Sequence, residues 1–344
     1  MAYISFQPSD YFNTVLYTGN GSTQSITGVG FQPDWIWQKA RNQTYDHRLF
    51  DAVRGTTKAI YSNTSGSEGT ESGVTAFDSD GFSLGSNAGS NGNTVTYASW
   101  NWKANGQGSA NSDGSITTTY TSANTTSGFS IVSYTGNATT GATIGHGLGV
   151  TPKMIIVKNR TDASTDWVVY HESLGNTNGI YLNLTSASGA VGAWNSTSPT
   201  SSVFTVNNAN ALNGSGDSLI AYCFAEKKGF SKFGSYTGNG NADGTFIYTG
   251  FKPAFVICKM SSASGQNWEL NDNKRNPYNE ATNTLRPNTN DAEDGTFNTC
   301  DLLSNGFKLR TSNDATNKSS FTYIYMAFAE HPLVSSNDIP ATAR

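Results

Sequence analysis

The chain is 344 residues long, enough for two or three domains, yet only 36% of it is apolar while 12% is aromatic. Charged residues make up 13% and the formal net charge is −4, with no lysine or arginine cluster, so the footprint that a nucleic-acid backbone or an anionic membrane requires is missing. No segment approaches the roughly 20 consecutive apolar residues of a membrane helix, which excludes such a span.

The first residues, Met1-Ala2-Tyr3-Ile4-Ser5-Phe6, lack a basic start followed by an apolar core. The expectation is therefore no secretory signal, and folding inside a cell. Residues 1–11 lie outside the repeating pattern that follows and read as a docking segment, or else as a first strand.

From Tyr17 onward the chain repeats itself. Tyr-Thr-Gly-Asn opens at Tyr17, Tyr134 and Tyr236, and Pro33, Pro152 and Pro253 follow after 16, 18 and 17 positions. From each proline to Lys39, Lys158 or Lys259 the interval is six every time. A fixed interval inside a run, after a loop of variable length, is the mark of duplicated strands. Arg48, Trp167 and Trp268 come about nine positions later, in what reads as the next strand. Phe82, Phe204 and Phe307 mark another, and each copy closes on a small residue plus an aromatic: Ser99-Trp100, Cys223-Phe224 and Ala327-Phe328. The last two closings continue as Ala225-Glu226 and Ala329-Glu330.

The runs after the prolines, such as Met154-Ile155-Ile156-Val157, are apolar on both faces and too short for a helix, which suits a strand inside a packed structure. Phe204-Thr205-Val206 and Phe307-Lys308-Leu309 alternate instead. Short strands between Gly, Asn, Ser and Thr clusters predict an all-β chain of three tandem, jelly-roll-like β-sandwich repeats. They are expected over 12–105, 128–228 and 229–334, with a carboxy-terminal tail at 335–344. Residues 106–127, nearly devoid of apolar side chains, read as an exposed linker that leaves the first copy apart from the other two.

Phe6-Gln7-Pro8-Ser9-Asp10-Tyr11-Phe12-Asn13, the repeated Tyr-Thr-Gly-Asn, the Trp100-Asn101-Trp102-Lys103 closing, both Ala-Glu closings and the Gly145-His146-Gly147-Leu148-Gly149 turn together resemble the repeat domain of marine tailed-phage virion proteins. The resemblance covers nearly the whole chain. It implies a virion structural protein of the tail-fibre, minor-tail or capsid-fibre type, assembled in the host cytoplasm and displayed toward a host surface. Other virion proteins would be its partners, and a homotrimer follows by analogy. A glycan-binding adhesin and a capsid decoration protein are the alternatives, and a polysaccharide depolymerase a more distant one. The resemblance carries no functional residue onto this chain.

Catalytic patterns are weak, and the expectation is no enzyme, no cofactor and no metal. Gly81-Phe82-Ser83-Leu84-Gly85 fits a nucleophile elbow, but Ser83 aligns with Thr205 and Lys308 and no helix pattern follows. His47, His146, His171 and His331 occupy unrelated places without metal-ligand spacing, and His146 suits a loop cap. Asp78 and Asp80 suit a turn. The acidic stretch 288–295 lacks the ordered spacing of a calcium loop. Cys223, Cys258 and Cys300, odd in number, read as buried thiols. Tryptophans in the repeated strands read as core. Trp194, which has no counterpart, is the candidate exposed platform for stacking a sugar, and the polar stretch 271–278 is a second loop of interest.

Overall fold

A computed structural model describes residues 7–296 and 300–329 together with the strands Leu333–Val334 and Pro340–Ala341. The expected Glu330 closing, His331 and most of the tail fall outside the described residues, as do the first six positions. The chain is all-β, with antiparallel strands and only short helical turns.

One strand order occurs three times. Phe12–Thr18 pairs with Thr96–Trp102, which pairs with Trp35–Ala40, which pairs with Arg48–Asp51. The same neighbours recur as Phe129–Thr135, Ser218–Phe224, Met154–Asn159 and Val168–His171, and again as Ser231–Thr237, Thr322–Ala329, Pro253–Met260 and Trp268–Asp272. Over each large sheet lies a small one, in which Gln24–Thr27, Ala142–Gly145 and Phe246–Tyr248 pair with Gly81–Leu84, Val203–Val206 and Gly306–Leu309. First strand pairs with last, and second with next to last, the nested pairing of a jelly-roll-like sandwich. We call the three bodies lobes 1, 2 and 3.

The lobes are not beads. Because successive side chains of a strand point to opposite faces, Met154 and Ile156 go one way and Ile155 and Val157 the other. The second pair packs within lobe 2 against Ile144, Phe204 and Val206 of its small sheet. The first pair enters a cluster shared by all three large sheets, with Trp35, Trp37, Trp100 and Trp102 from lobe 1, Tyr222 and Phe224 from lobe 2, and Phe255, Phe328 and Trp268 from lobe 3. This hub explains the doubly apolar strands: one face serves the lobe, the other the common core. Trp35 stacks on Tyr222 with ring centroids 4.5 Å apart, and Phe12 stacks on Phe328 at 5.4 Å.

The structure therefore corrects the expectation that 106–127 is an exposed linker separating the first copy. Tyr120–Asn124 is the outer strand of lobe 2's large sheet. Ile116 is buried and bridges Ile144, and the Asn105 backbone N–H donates to Ser122 Oγ at 2.8 Å. Serine and threonine hydroxyls secure this stretch where apolar side chains are lacking.

Candidate functional site

The residues that define the repeat are spent on the scaffold. Tyr17, Tyr134 and Tyr236 each donate a hydroxyl hydrogen to a carbonyl of a four-residue helix, at Ser90, Leu212 and Thr316, over 2.7, 2.7 and 2.8 Å. The glycine two positions on has no room for a side chain: a Cβ there would sit 2.3, 2.2 or 2.4 Å from the carbonyl oxygen of Gly92, Gly214 or Lys318. The backbone N–H of Asn20, Asn137 or Asn239 then donates to the buried side-chain oxygen of Asn91, Asn213 or Asn317. Tyr-Thr-Gly-Asn is a latch between the opening strand and the turn before the closing strand.

The repeated lysines end the hub. Lys39 Nζ donates to the carbonyls of Ala40 and Gln43, Lys158 Nζ to Ser65 and Thr165, and Lys259 Nζ to Thr185, Met260 and Gln266. Burial pushes all three ammonium groups down to about 8. Lys158 and Lys259 reach the preceding lobe. The residue across from Lys259 is Trp268. In lobe 1 the register places Arg48 across from Gln38, so His47, not Arg48, takes the place of Trp167 and Trp268.

Between lobes the seams run in one rotational sense. Asp51 Oδ2 accepts from Arg54 Nε at 2.6 Å and from the Tyr222 hydroxyl at 2.7 Å. Asp272 Oδ2 accepts from Arg275 Nε at 2.6 Å and from Trp100 Nε1 at 2.9 Å. The equivalent position in lobe 2 is His171, whose Nδ1 accepts from the Ser173 N–H and whose Nε2 donates to the Tyr325 carbonyl. Burial holds its pKa down at about 4.

Most other candidates resolve into structure. Trp194 is 1% exposed and packs edge-on against Tyr170, so the expected stacking platform is a core side chain. Ser83 lies on the middle strand of a small sheet and donates to Asp78 Oδ2, while Asp80 accepts the N–H groups of Gly28 and Gly30. His146 Nδ1 accepts from the Leu148 N–H and its Nε2 donates to the Thr200 carbonyl. In the acidic stretch, Glu293 pairs with Arg41 and Arg275, and Asp294 with Arg286, so arginines meet these carboxylates. The three thiols are buried.

What remains is where lobe 3 departs from its siblings. From the hub position to the residue that pairs back, Asp51 to Ile60 and His171 to Ile180 are both nine positions, whereas Asp272 to Leu285 is thirteen. The four extra residues build a loop carrying Tyr278, whose side chain is 84% exposed. Beside it is a surface cavity of about 230 Å³ lined by Lys252, Asn273, Asn276, Pro277, Tyr278, Asn279 and Leu302. The loop is pinned: Asn276 Oδ1 accepts from the Asn283 N–H at 2.7 Å, and Asn279 Oδ1 from the Leu302 N–H at 2.8 Å.

The small sheet next to it also differs. Ile26, Ile144 and Ile247 are equivalent, each paired with a phenylalanine. Their neighbours along the strand are the exposed Ser25 and Thr27 in lobe 1, the half-buried Thr143 and the buried Gly145, which Asn111 covers, in lobe 2, but Phe246 and Tyr248 in lobe 3, 43% and 63% exposed. Among the described residues, Phe246, Tyr248 and Tyr278 are the exposed aromatic side chains, and all belong to one lobe. The polar stretch 271–278 belongs to this site. The signal that reveals the rest of it is the alignment of the three isoleucines, which exposes the aromatic pair, and the extra length before Leu285.

The family comparison matches residues 7–332, and the chain belongs to the family described as domain of unknown function DUF7483. No curated protein and no solved structure matches it.

Proposed function

We propose that the protein is a non-enzymatic structural component of a virion, a fibre, spike or decoration protein that meets the host surface through lobe 3. One observation carries this reading. The side chains that recur in every copy are consumed by latches, hub and seams, while the exposed departures gather in a single lobe, as in a scaffold that presents one contact region. The resemblance of the repeated motifs to phage virion repeats supplies the setting, and self-association as a homotrimer is part of the same proposal. Antibody labelling of purified particles under the electron microscope tests it: discrete label at the tail or on the head is the expected result, and purified particles free of the protein would overturn it. Release of new reducing ends from host envelope polysaccharide, sustained over many turnovers, would instead establish a depolymerase.

The adhesin form of this reading is favoured by a specific observation, the exposed aromatics and the amide-lined cavity of lobe 3.

A further inference from the structure

We propose that lobe 3 holds a binding site for an acidic pyranose, with the Tyr278 ring as stacking platform and the Lys252 ammonium as the partner of the sugar's carboxylate. The inference rests on the host-contact reading for its biological setting, while the binding chemistry is read from the site itself.

Three observations converge. The first is selective placement: at matched positions lobes 1 and 2 carry Ser25, Thr27, Thr143 and Gly145, and only lobe 3 carries Phe246 and Tyr248 beside an inserted loop. Exposed aromatics concentrated in one lobe add nothing to a scaffold already closed elsewhere, and exposed apolar surface of this kind marks contact sites. The register puts Tyr248, Gly306 and Leu303 at one end of the small sheet, and Leu302 and Lys252, close in sequence to that end, line the cavity. The aromatic pair thus sits on the strand at one edge of this sheet, and Leu302 of the cavity on the strand at its other edge.

The second is shape and polarity. About 230 Å³ accommodates a sugar ring rather than a broad protein surface. The electron-rich face of a tyrosine attracts the polarised C–H groups on one side of a pyranose, as it does a cation. Asn279 Nδ2 spends one hydrogen on the Leu302 carbonyl at 3.3 Å, and an amide nitrogen has a second to give to a hydroxyl. Because the loop is pinned by Asn276 and Asn279, little ordering is required when a ligand arrives.

The third is charge. Lys308 is paired with Asp243 at 2.5 Å, and Arg310 lies 3.5 Å from Asp301 and 3.9 Å from Glu280. Lys252, exposed at the cavity rim, makes no ion pair among the described residues. An unpaired ammonium beside an aromatic ring and amides complements a ring that bears a carboxylate.

The test is titration calorimetry of the full chain with galacturonic-acid oligomers, and with glucose oligomers of equal length as the neutral probe. The acidic oligomer is expected to bind at millimolar concentration or better, Tyr278→Ala to weaken it about tenfold or more, and Lys252→Gln to abolish the preference for acidic over neutral, with both variants keeping the unfolding midpoint of the parent. No binding of the acidic oligomer at millimolar concentration, equal binding of the neutral one, or an unaltered affinity in Tyr278→Ala would overturn the proposal. So would self-association of the chain that Tyr278→Ala abolishes, since the face would then be occupied by a second copy. Particle labelling without saccharide binding would sink this inference alone, and saccharide binding by a protein absent from particles would sink only its setting.

Discussion

Two kinds of seam hold the lobes together, and the contrast shows how one geometric slot can be filled by different chemistry. Between lobes 1 and 2, and between lobes 3 and 1, an aspartate with a neighbouring arginine faces the hub and accepts a hydrogen bond from an aromatic residue of the next lobe. Carboxylate–arginine pairs flank them: Glu68 with Arg160, and Glu293 with Arg41. Between lobes 2 and 3 the slot holds a neutral histidine, and the flank is backbone and serine, Ser188 donating from both its N–H and its hydroxyl to the Ser261 carbonyl. The backbone positions repeat, whereas the polar groups need only satisfy one another locally.

The comparison breaks most sharply at the buried aspartates. In Asp51→Ala the Arg54 guanidinium, whose side chain is fully buried, loses its nearest counter-charge and Tyr222 its acceptor. The expected loss is about 3–5 kcal/mol in chemical denaturation, and Asp272→Ala should lose as much. A similar cost for His171→Ala would show that the slot, rather than the charge in it, matters.

Acid sharpens the same contrast. His171 titrates at about 4 in the folded chain, held down by burial, and at its ordinary 6.5 when unfolded. The unfolded chain therefore binds more protons between these values, so the stability conferred by the neutral imidazole is complete above pH 6.5 and is lost as pH falls toward 4. The loss is about 3 kcal/mol. Burial also lowers His47 and His146, which contribute in the same direction as pH falls below 6.5. Unfolding curves at pH 7 and pH 4.5 should converge in His171→Gln relative to the parent, while a parent curve unchanged by pH over this range would refute the assignment.

Smaller effects are expected within a lobe. Tyr134→Phe removes the latch bond to the Leu212 carbonyl and should cost about 1–2 kcal/mol, with Tyr17→Phe and Tyr236→Phe alike. Smallest of all, Tyr278→Ala should leave stability within about 0.5 kcal/mol, because the side chain is 84% exposed. A larger change would place Tyr278 in the scaffold rather than in a binding face.

Much of the fold was legible because a strand tolerates no insertion while a loop does: the constant six-residue step from proline to lysine located three equivalent strands. The hub was not legible. A strand apolar on both faces announces that both are covered, without saying by what, and here one cover is the strand's own small sheet and the other comes from two distant parts of the chain. Residues 106–127 misled because composition counts apolar atoms, whereas that stretch is secured through Thr118, Thr121 and Ser122 hydroxyls. Trp194 misled for the opposite reason. Lack of a counterpart in the other copies does not require exposure, and the Trp194 ring fills space beside Tyr170. At the candidate site the polar loop was visible as composition, but the aromatic pair Phe246 and Tyr248 carries meaning only once the pairing partners Phe82, Phe204 and Phe307 align the three small sheets.

Phe12 stacks against Phe328, so the hub joins the two ends of the described chain. During synthesis Phe12 and Trp102 must wait for Phe255 and Phe328 to emerge, an interval on the order of ten seconds or more at ribosomal speeds. Through that interval the nascent chain carries a bare aromatic face, and its safe completion depends on how quickly the later strands arrive.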